Sequence, residues 1–203
     1  WDPSALMPTD PSFYSGIIIG RSFHNPVKEE EKPWMAAVYC FLRTVVRNNI
    51  PLLGICGGLE FVARALGSEI VRNPNGLEFG TLPVRLSVKG EHDPIFQNVP
   101  SEFLAQISHN FFVDKLENNW LNLASSKECI HQAIAIGDNI RLLQFHPELA
   151  VFSMKNLASM KGIEAKIEPT PYTDQILKNF LNFFVQTNLT IFPEIQTRSA
   201  LSV

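Results

Sequence analysis

The stretch Ile50-Pro51-Leu52-Leu53-Gly54-Ile55-Cys56-Gly57-Gly58-Leu59-Glu60 reads as a strand that turns sharply into a helix, with a cysteine on the corner. Apolar residues run up to Cys56. Glycines stand two residues before it and at both positions after it, and a helix-period pattern begins at once. A nucleophile on such an elbow sits in a strained turn, so its neighbours at plus and minus two must be small. The thiol then lies at a helix N-terminus, whose partial positive charge favours thiolate. The Gly57 N–H is left free to help hold an oxyanion. A lone cysteine in an apolar stretch is usually a core thiol; the flanking glycines and the change of period point to catalysis instead.

A cysteine nucleophile needs a base, and the base needs an orienting carboxylate. Ile140-Arg141-Leu142-Leu143-Gln144-Phe145 reads as a strand ending at His146, and Glu148 follows two residues on. Pro147 between them fixes φ and stiffens the pair. The chain order would be Cys56, His146, Glu148, with about 90 residues between thiol and imidazole. His24, His92 and His131 lack such context and read as surface or loop residues.

Outward from these segments the chain reads as α/β. Ile17-Ile18-Ile19 is a short buried strand closed by Gly20. Residues 34–48 form an amphipathic helix in which Trp34, Ala37, Val38, Phe41, Leu42, Val45 and Val46 repeat at helical spacing, with Pro33 in the first turn. Leu59, Val62, Ala63 and Leu66 give the elbow helix one apolar face. From about 68 to 145 the signal turns to short β segments: Thr81–Val88, Leu104–Ser108, Leu121–Ser125, Gln132–Ile136 and Ile140–Phe145. A last helix spans 173–186, with Thr173 as N-cap and Ile176, Leu177, Phe180, Leu181 and Phe184 facing inward. This alternation predicts a mainly parallel open sheet flanked by helices, with the nucleophile at the carboxyl end of a strand. The run Lys28-Glu29-Glu30-Glu31-Lys32 reads as a solvated loop. Residues 1–188 read as one domain and 189–203 as a C-terminal extension.

Composition frames the function. The chain has 203 residues, 45% hydrophobic and 18% charged, which suits one domain with a sizeable core. A net charge of −3 gives no electrostatic reason to expect nucleic acid. No apolar run approaches the roughly 20 residues of a membrane span. Three cysteines without metal-type spacing argue against a disulfide framework or a zinc site, and a reducing, cytoplasmic compartment suits a working thiolate. Cys40, on the helix, and Cys129, in a loop, read as bystanders.

The two segments together resemble those of the class I glutamine amidotransferases, whose nucleophile motif is G-x-C-x-G-x-Q and whose second motif is H-P-E. Within that family the nearest likeness is to the glutaminase domain of GMP synthase and its stand-alone relatives. Weaker matches lie between: Asn73-Pro74-Asn75-Gly76-Leu77-Glu78-Phe79-Gly80, Asp93-Pro94-Ile95-Phe96 and Ser108-His109. The resemblance covers roughly residues 16 to 186 and implies a flavodoxin-like fold. It also implies that Cys56 attacks the carboxamide of glutamine, that backbone N–H groups of Gly57 and the Gly20 region hold the oxyanion, and that His146, oriented by Glu148, moves the protons. Gly58, Glu60, His109, Asn110 and Arg21 are the implied substrate-binding positions. No cofactor or metal is implied. Ammonia would pass to a partner synthetase, since no ATP-binding P-loop is present in the chain. The family domain normally begins with a further strand and helix, which suggests upstream residues outside this sequence.

Three departures from the family pattern stand out. The Gln after the nucleophile is Glu60, which adds an acceptor and removes an amide donor. Folate-type γ-glutamyl hydrolases resemble this chain there, so hydrolysis of a γ-glutamyl peptide or conjugate is a second reading. The strand expected to end in Gly-Gly or Ser-Gly reads Gly20-Arg21-Ser22, so Arg21 could reshape the pocket entrance or bind a carboxylate. Gly57 replaces a larger residue, which should loosen the elbow slightly. A catalytically idle regulatory homologue is a third reading, opposed by the complete triad.

Overall fold

The computed structural model describes residue 8, residues 10–22 and residues 32–186. The opening residues Trp1 to Ser4, His24, most of the Lys28–Lys32 run and the tail from Leu189 lie outside the described residues.

The elements follow in chain order. They are β1 (Ile17–Ile19), α1 (Pro33–Arg47), β2 (Leu52–Ile55), α2 (Gly57–Ala65), β3 (Ile70–Arg72), β4 (Glu78–Leu86), α3 (Val88–Glu91) and β5 (Glu102–His109). Then come β6 (Phe111–Val113), β7 (Trp120–Ser125), β8 (Ala133–Ile136), β9 (Ile140–Leu143), α4 (Val151–Lys161) and α5 (Thr173–Asn179). After α5 the chain winds on as a π-helix through Phe180–Gln186. Seven strands form one sheet in the order β1-β2-β9-β8-β7-β4-β5, and β3 pairs with β6 apart from it. The fold is α/β, as expected. The parallel part is β1-β2-β9, and β8, β7, β4 and β5 extend it antiparallel. Among the described residues β1 and β5 are the two edges of the sheet.

Strands β2 and β8 are apolar throughout, and β9 is apolar but for Arg141, because both faces are covered. Leu52 and Leu142 point into a core shared with α1 and α2, built on Met35, Leu42, Leu59 and Val62. Leu53, Ile55 and Leu143 point the other way, onto Phe103, Phe145, Ile176 and Phe180. Successive strand residues thus serve opposite layers. Helix α1 buries Met35, Tyr39, Leu42 and Val45, while Ala37 is exposed. Its core face is therefore rotated from the expected one, which omitted Met35 and Tyr39. No helix among the described residues is long and apolar enough to cross a membrane.

The C-terminal segment corrects two expectations. Thr173 is the first residue of α5 rather than its cap, and its hydroxyl donates to the Thr170 carbonyl at 2.9 Å. Leu181 is 47% exposed, whereas Ile176, Phe180 and Phe184 are buried. The wider π winding after Asn179 moves side chains off the 3.6-residue register used to predict them. A buried pair clamps this segment: Arg141 Nε donates to Asp93 Oδ1 at 2.9 Å, and its guanidinium lies 4.8 Å from the Phe184 ring centre. Asp93 also caps the turn at Pro94, which gives the Asp93–Phe96 motif its structural reason.

Candidate active site

Cys56 occupies the corner between β2 and α2 at φ 50°, a left-handed conformation that side chains rarely adopt. The strand before it and the helix after it hold it there. Its N–H donates to the Leu143 carbonyl at 2.7 Å, and its carbonyl accepts from Glu60 N at 3.1 Å. The glycines are explained by close approach. A Cβ on Gly58 would run into the Ile19 carbonyl, and one on Gly54 would lie 2.8 Å from the Leu142 side chain. The small neighbours at plus and minus two are thus required by the packing. Gly57 does not loosen the elbow. A Cβ there would sit 2.5 Å from Ser22 N, so the glycine admits the chain after β1. Two of the departures read in the sequence, Gly57 and the Gly20–Ser22 segment, are one packing arrangement.

Parallel pairing brings His146 to the Cys56 side of the sheet. Ile55 is in register with Leu143, so Cys56 and the His146 turn leave the carboxyl ends of adjacent strands. Strand β5 reaches both. Ser108 O lies 4.0 Å from Cys56 Sγ, and Gln106 O accepts the His146 N–H at 2.8 Å. Glu148 Oε1 lies 2.7 Å from His146 Nδ1. A carboxylate only accepts, so Nδ1 carries the proton and Nε2 is left as the basic nitrogen. His146 is buried, and the Glu148 side chain is one-third exposed.

The electrostatics differ from the expectation of a thiolate. Burial first, then the charge of Glu60, push the Cys56 thiol well above its ordinary value; the Gly57 N–H and Arg21 pull the other way, and Glu148 adds to the rise. Desolvation outweighs the helix terminus. Cys56 is nonetheless half-buried rather than sealed. Glu60 is 6% exposed, and burial raises its carboxyl to about 7.

The remaining expected positions fall as follows. Gly58 is buried under β1, and Gly20 and Arg21 are exposed at the end of that strand. The His109 ring faces inward: Nδ1 donates to Phe111 O at 3.0 Å and Nε2 lies 2.9 Å from Glu78 Oε2. Its segment meets the thiol through the Ser108 backbone. The Asn110 carbonyl accepts from Asn73 N at 2.7 Å, joining the Asn73–Gly80 loop to the same strand end. Buried Cys129 joins Glu78 and His109 in a group whose ligand-type atoms all lie within 4.8 Å, but Ser126 and Gln132 already donate to Glu78. That group reads as a satisfied structural network. Exposed Cys40 and His92 stand apart, while half-buried His131 bonds the Val113 carbonyl at 2.7 Å.

Sequence reasoning missed Gln106. Its backbone holds His146, while its side chain accepts from Thr81 Oγ1 and donates to the Glu168 carbonyl, both at 2.9 Å. The sequence shows only a polar residue inside the apolar run Phe103–Ile107, and the fold buries it fully. An apolar cavity of about 520 Å³ runs along β1 to Gly20, Arg21 and Ser22, but neither Cys56 nor His146 lines it.

The family description "Glutamine amidotransferase class-I" matches residues 6–158. A GMP synthase [glutamine-hydrolyzing] from Borrelia garinii is 30% identical over 151 residues, 73% of this chain and 25% of that protein. One from Flavobacterium psychrophilum is 30% identical over 148 residues, 72% of this chain and 27% of that protein. The chain thus spans about a quarter of the length of these curated relatives. Among solved structures, a GMP synthase-type protein from Thermoplasma acidophilum superposes with a TM-score of 0.64 at 25% identity, covering 90% of this chain and 76% of that one. A glutamine amidotransferase from Thermotoga maritima matches in fold, with a TM-score of 0.67 at 20% identity over 98% of this chain and 84% of that one. By these matches the chain belongs to the class I glutamine amidotransferase family and is related to the glutaminase region of GMP synthases.

Proposed function

We propose that the protein is a glutaminase that hydrolyses the side-chain amide of glutamine through a thioester on Cys56. The observation that carries this is the placement of Cys56, in left-handed backbone, and of the His146–Glu148 pair at the carboxyl ends of the paired strands β2 and β9. His146 Nε2 takes the proton from Cys56 Sγ as sulfur attacks the amide carbon. The oxyanion is met by the Gly57 N–H and the backbone near Gly20. The imidazolium, steadied by Glu148, then gives its proton to the departing ammonia, and the same nitrogen later activates water against the thioester. Because the surroundings hold Cys56 as a thiol, a base at the site is a requirement of the chemistry. Residues 1–188 act as the glutaminase unit, and the ammonia serves a synthetase partner or fused domain, in keeping with the GMP synthase relatives.

One observation favours a second reading. Buried Glu60, where the family carries Gln, leaves γ-glutamyl amides as alternative substrates. Incubation with a diazo-ketone analogue of glutamine, followed by mass spectrometry, tests both, with Cys56→Ser as control. An adduct on Cys56 blocked best by glutamine supports the glutaminase; one blocked only by γ-glutamyl peptides supports the hydrolase. Label on Cys40 or Cys129 alone overturns the assignment of the nucleophile.

A further inference from the structure

Glu78 and His109 face each other across the paired ends of β4 and β5, with side chains 2% and 1% exposed. The hydrogen bonds around them fix where the protons are. Ser126 Oγ receives the Cys129 N–H and one Gln132 Nε2 proton, both at 3.1 Å, so its own proton goes to Glu78 Oε1 at 2.6 Å. The other Gln132 amide proton goes to Glu78 Oε2 at 3.0 Å. Glu78 thus accepts at both oxygens, as an ionised carboxylate does. His109 has an acceptor at each ring nitrogen: Nδ1 lies 3.0 Å from the Phe111 carbonyl, and Nε2 lies 2.9 Å from Glu78 Oε2. Carbonyl and carboxylate oxygens only accept, so both nitrogens carry protons and the ring is an imidazolium. The 3.4 Å approach of Gln132 Nε2 to His109 Nε2 is then a contact of two donors that converge on one oxygen.

The titratable groups on the surrounding elements leave this pair to itself. Cys129, in the loop between β7 and β8, lies within 4.8 Å of both, but burial pushes its thiol up to about 12, so it stays neutral. In the same loop Lys127 and Glu128 pair at the surface, and His131 bonds the Val113 carbonyl. Glu69 and Arg72 at β3 and Lys115 after β6 are exposed, and Asp114 is half-buried. On α2, Glu60 is buried and Arg64 is exposed. Among the described residues none of these makes a hydrogen bond or ion pair to Glu78 or His109. The pair sits at the strand end that serves the site. Ser108, next to His109, turns its carbonyl to Cys56 Sγ at 4.0 Å, and the Gln106 carbonyl accepts the His146 N–H at 2.8 Å. One short piece of β5 thus touches both Cys56 and the His146 turn, and its last side chain is the buried cation.

We infer that Glu78 and His109 form a buried ion pair that positions the catalytic centre: it fixes the end of β5, and through the Ser108 and Gln106 carbonyls it sets Cys56 against His146. The inference rests on the glutaminase reading for the reaction that is positioned, and on hydrogen bonds alone for the charge on His109. His109 is then a positioning residue and not a contact to substrate. The same two side chains tie in β6 through Phe111, and the two ends of the β7–β8 loop through Ser126 and Gln132. Two buried charges hold each other in one geometry, because a shift of either strand end leaves both unpaired in an apolar interior. Removing one partner alone strands the other. Removing both charges together leaves two amides that can still hydrogen-bond across the strands.

Two measurements test this on the whole chain. The first is the nitrogen-15 NMR spectrum of histidine-labelled wild-type protein at about pH 8, where an ordinary imidazole is neutral. His109, told from the other histidines by through-space contacts to Phe111 and Cys129, should show a proton on both ring nitrogens. A single proton on that ring overturns the ion pair. The second is steady-state glutamine hydrolysis by Glu78→Gln, His109→Gln and the double variant. Each single substitution should lower kcat about 10- to 100-fold and leave KM within about 3-fold, and the double variant should be no slower than the slower single. A KM raised about 10-fold or more with kcat intact makes His109 a substrate contact and overturns the positioning role. Losses that multiply in the double variant overturn the pairing. Where a single variant does not fold, the wild-type spectrum and the double variant decide, and a double variant as fast as the wild type overturns the role. A doubly protonated His109 in a wild type that does not turn over glutamine supports the ion pair while the glutaminase reading fails, so the two failures are distinguishable.

Discussion

Glu148 accepts from His146 at 2.7 Å, yet its side chain is one-third exposed, so in the proposed mechanism it orients the imidazole more than it buries charge. Replacing it by Gln keeps the size but allows the opposite tautomer, with the proton on Nε2, where the base must be free. Steady-state kinetics of Glu148→Gln should show kcat reduced by about 10²- to 10⁴-fold with a small change in KM. Glu60 makes a prediction of a different kind, on stability. Its carboxyl is raised from 4.5 to about 7 by burial, so the folded state holds a proton that the unfolded state has lost across that window. Its contribution is therefore fully present below pH 4.5 and is lost as pH rises toward 7. Glu60→Gln should leave the melting temperature near pH 4 little changed and raise stability near pH 8 by up to about 3 kcal/mol. Thermal unfolding at the two pH values checks it.

The elbow was legible in the sequence because its constraint is local. Three glycines, an apolar run and a switch of period all concern one turn, and each glycine meets a specific neighbour in the fold. Gly58 is the sharpest case, since its added Cβ would meet backbone, the Ile19 carbonyl, rather than a side chain that can move. Gly58→Ala should cost about 2–4 kcal/mol in denaturant unfolding and lower activity together with stability, because β1 and α2 must part. The segment around His146 was legible for a similar reason: strand, base, proline and carboxylate lie within nine residues. Other elements were not. Helix α4 was missed because its apolar residues share no face: Met154 and Leu157 are buried, while Phe152 and Met160 are 75% and 85% exposed. Leu181 was misplaced because the π winding is invisible to a search at 3.6 residues. The thiol's protonation was misjudged because helix position is written in the sequence and desolvation is not. The link from Gln106 to His146 depends on strand pairing, which no local pattern encodes.

At the scale of the molecule, two apolar layers meet on one set of central strands. Strands β2 and β9 are buried in every residue, whereas β1 carries exposed Ile18 at one described edge of the sheet. Native-state hydrogen exchange should therefore find the slowest amides at Leu53, Ile55 and Leu142, with β1 opening earlier. Comparable rates in β1 and β2 would contradict this layering. The register of β2 on β9 also joins positions almost ninety residues apart, across which α2 and every strand from β3 to β8 are laid down. Loop closure over that span comes late in folding, after helices and hairpins that need only neighbours. The proposed pair of Cys56 and His146 should therefore come together only in the late stage of folding. On refolding, far-UV ellipticity should return before Cys56 acquires its protected reactivity, which makes the chemistry of that one thiol a clock for the last step of assembly.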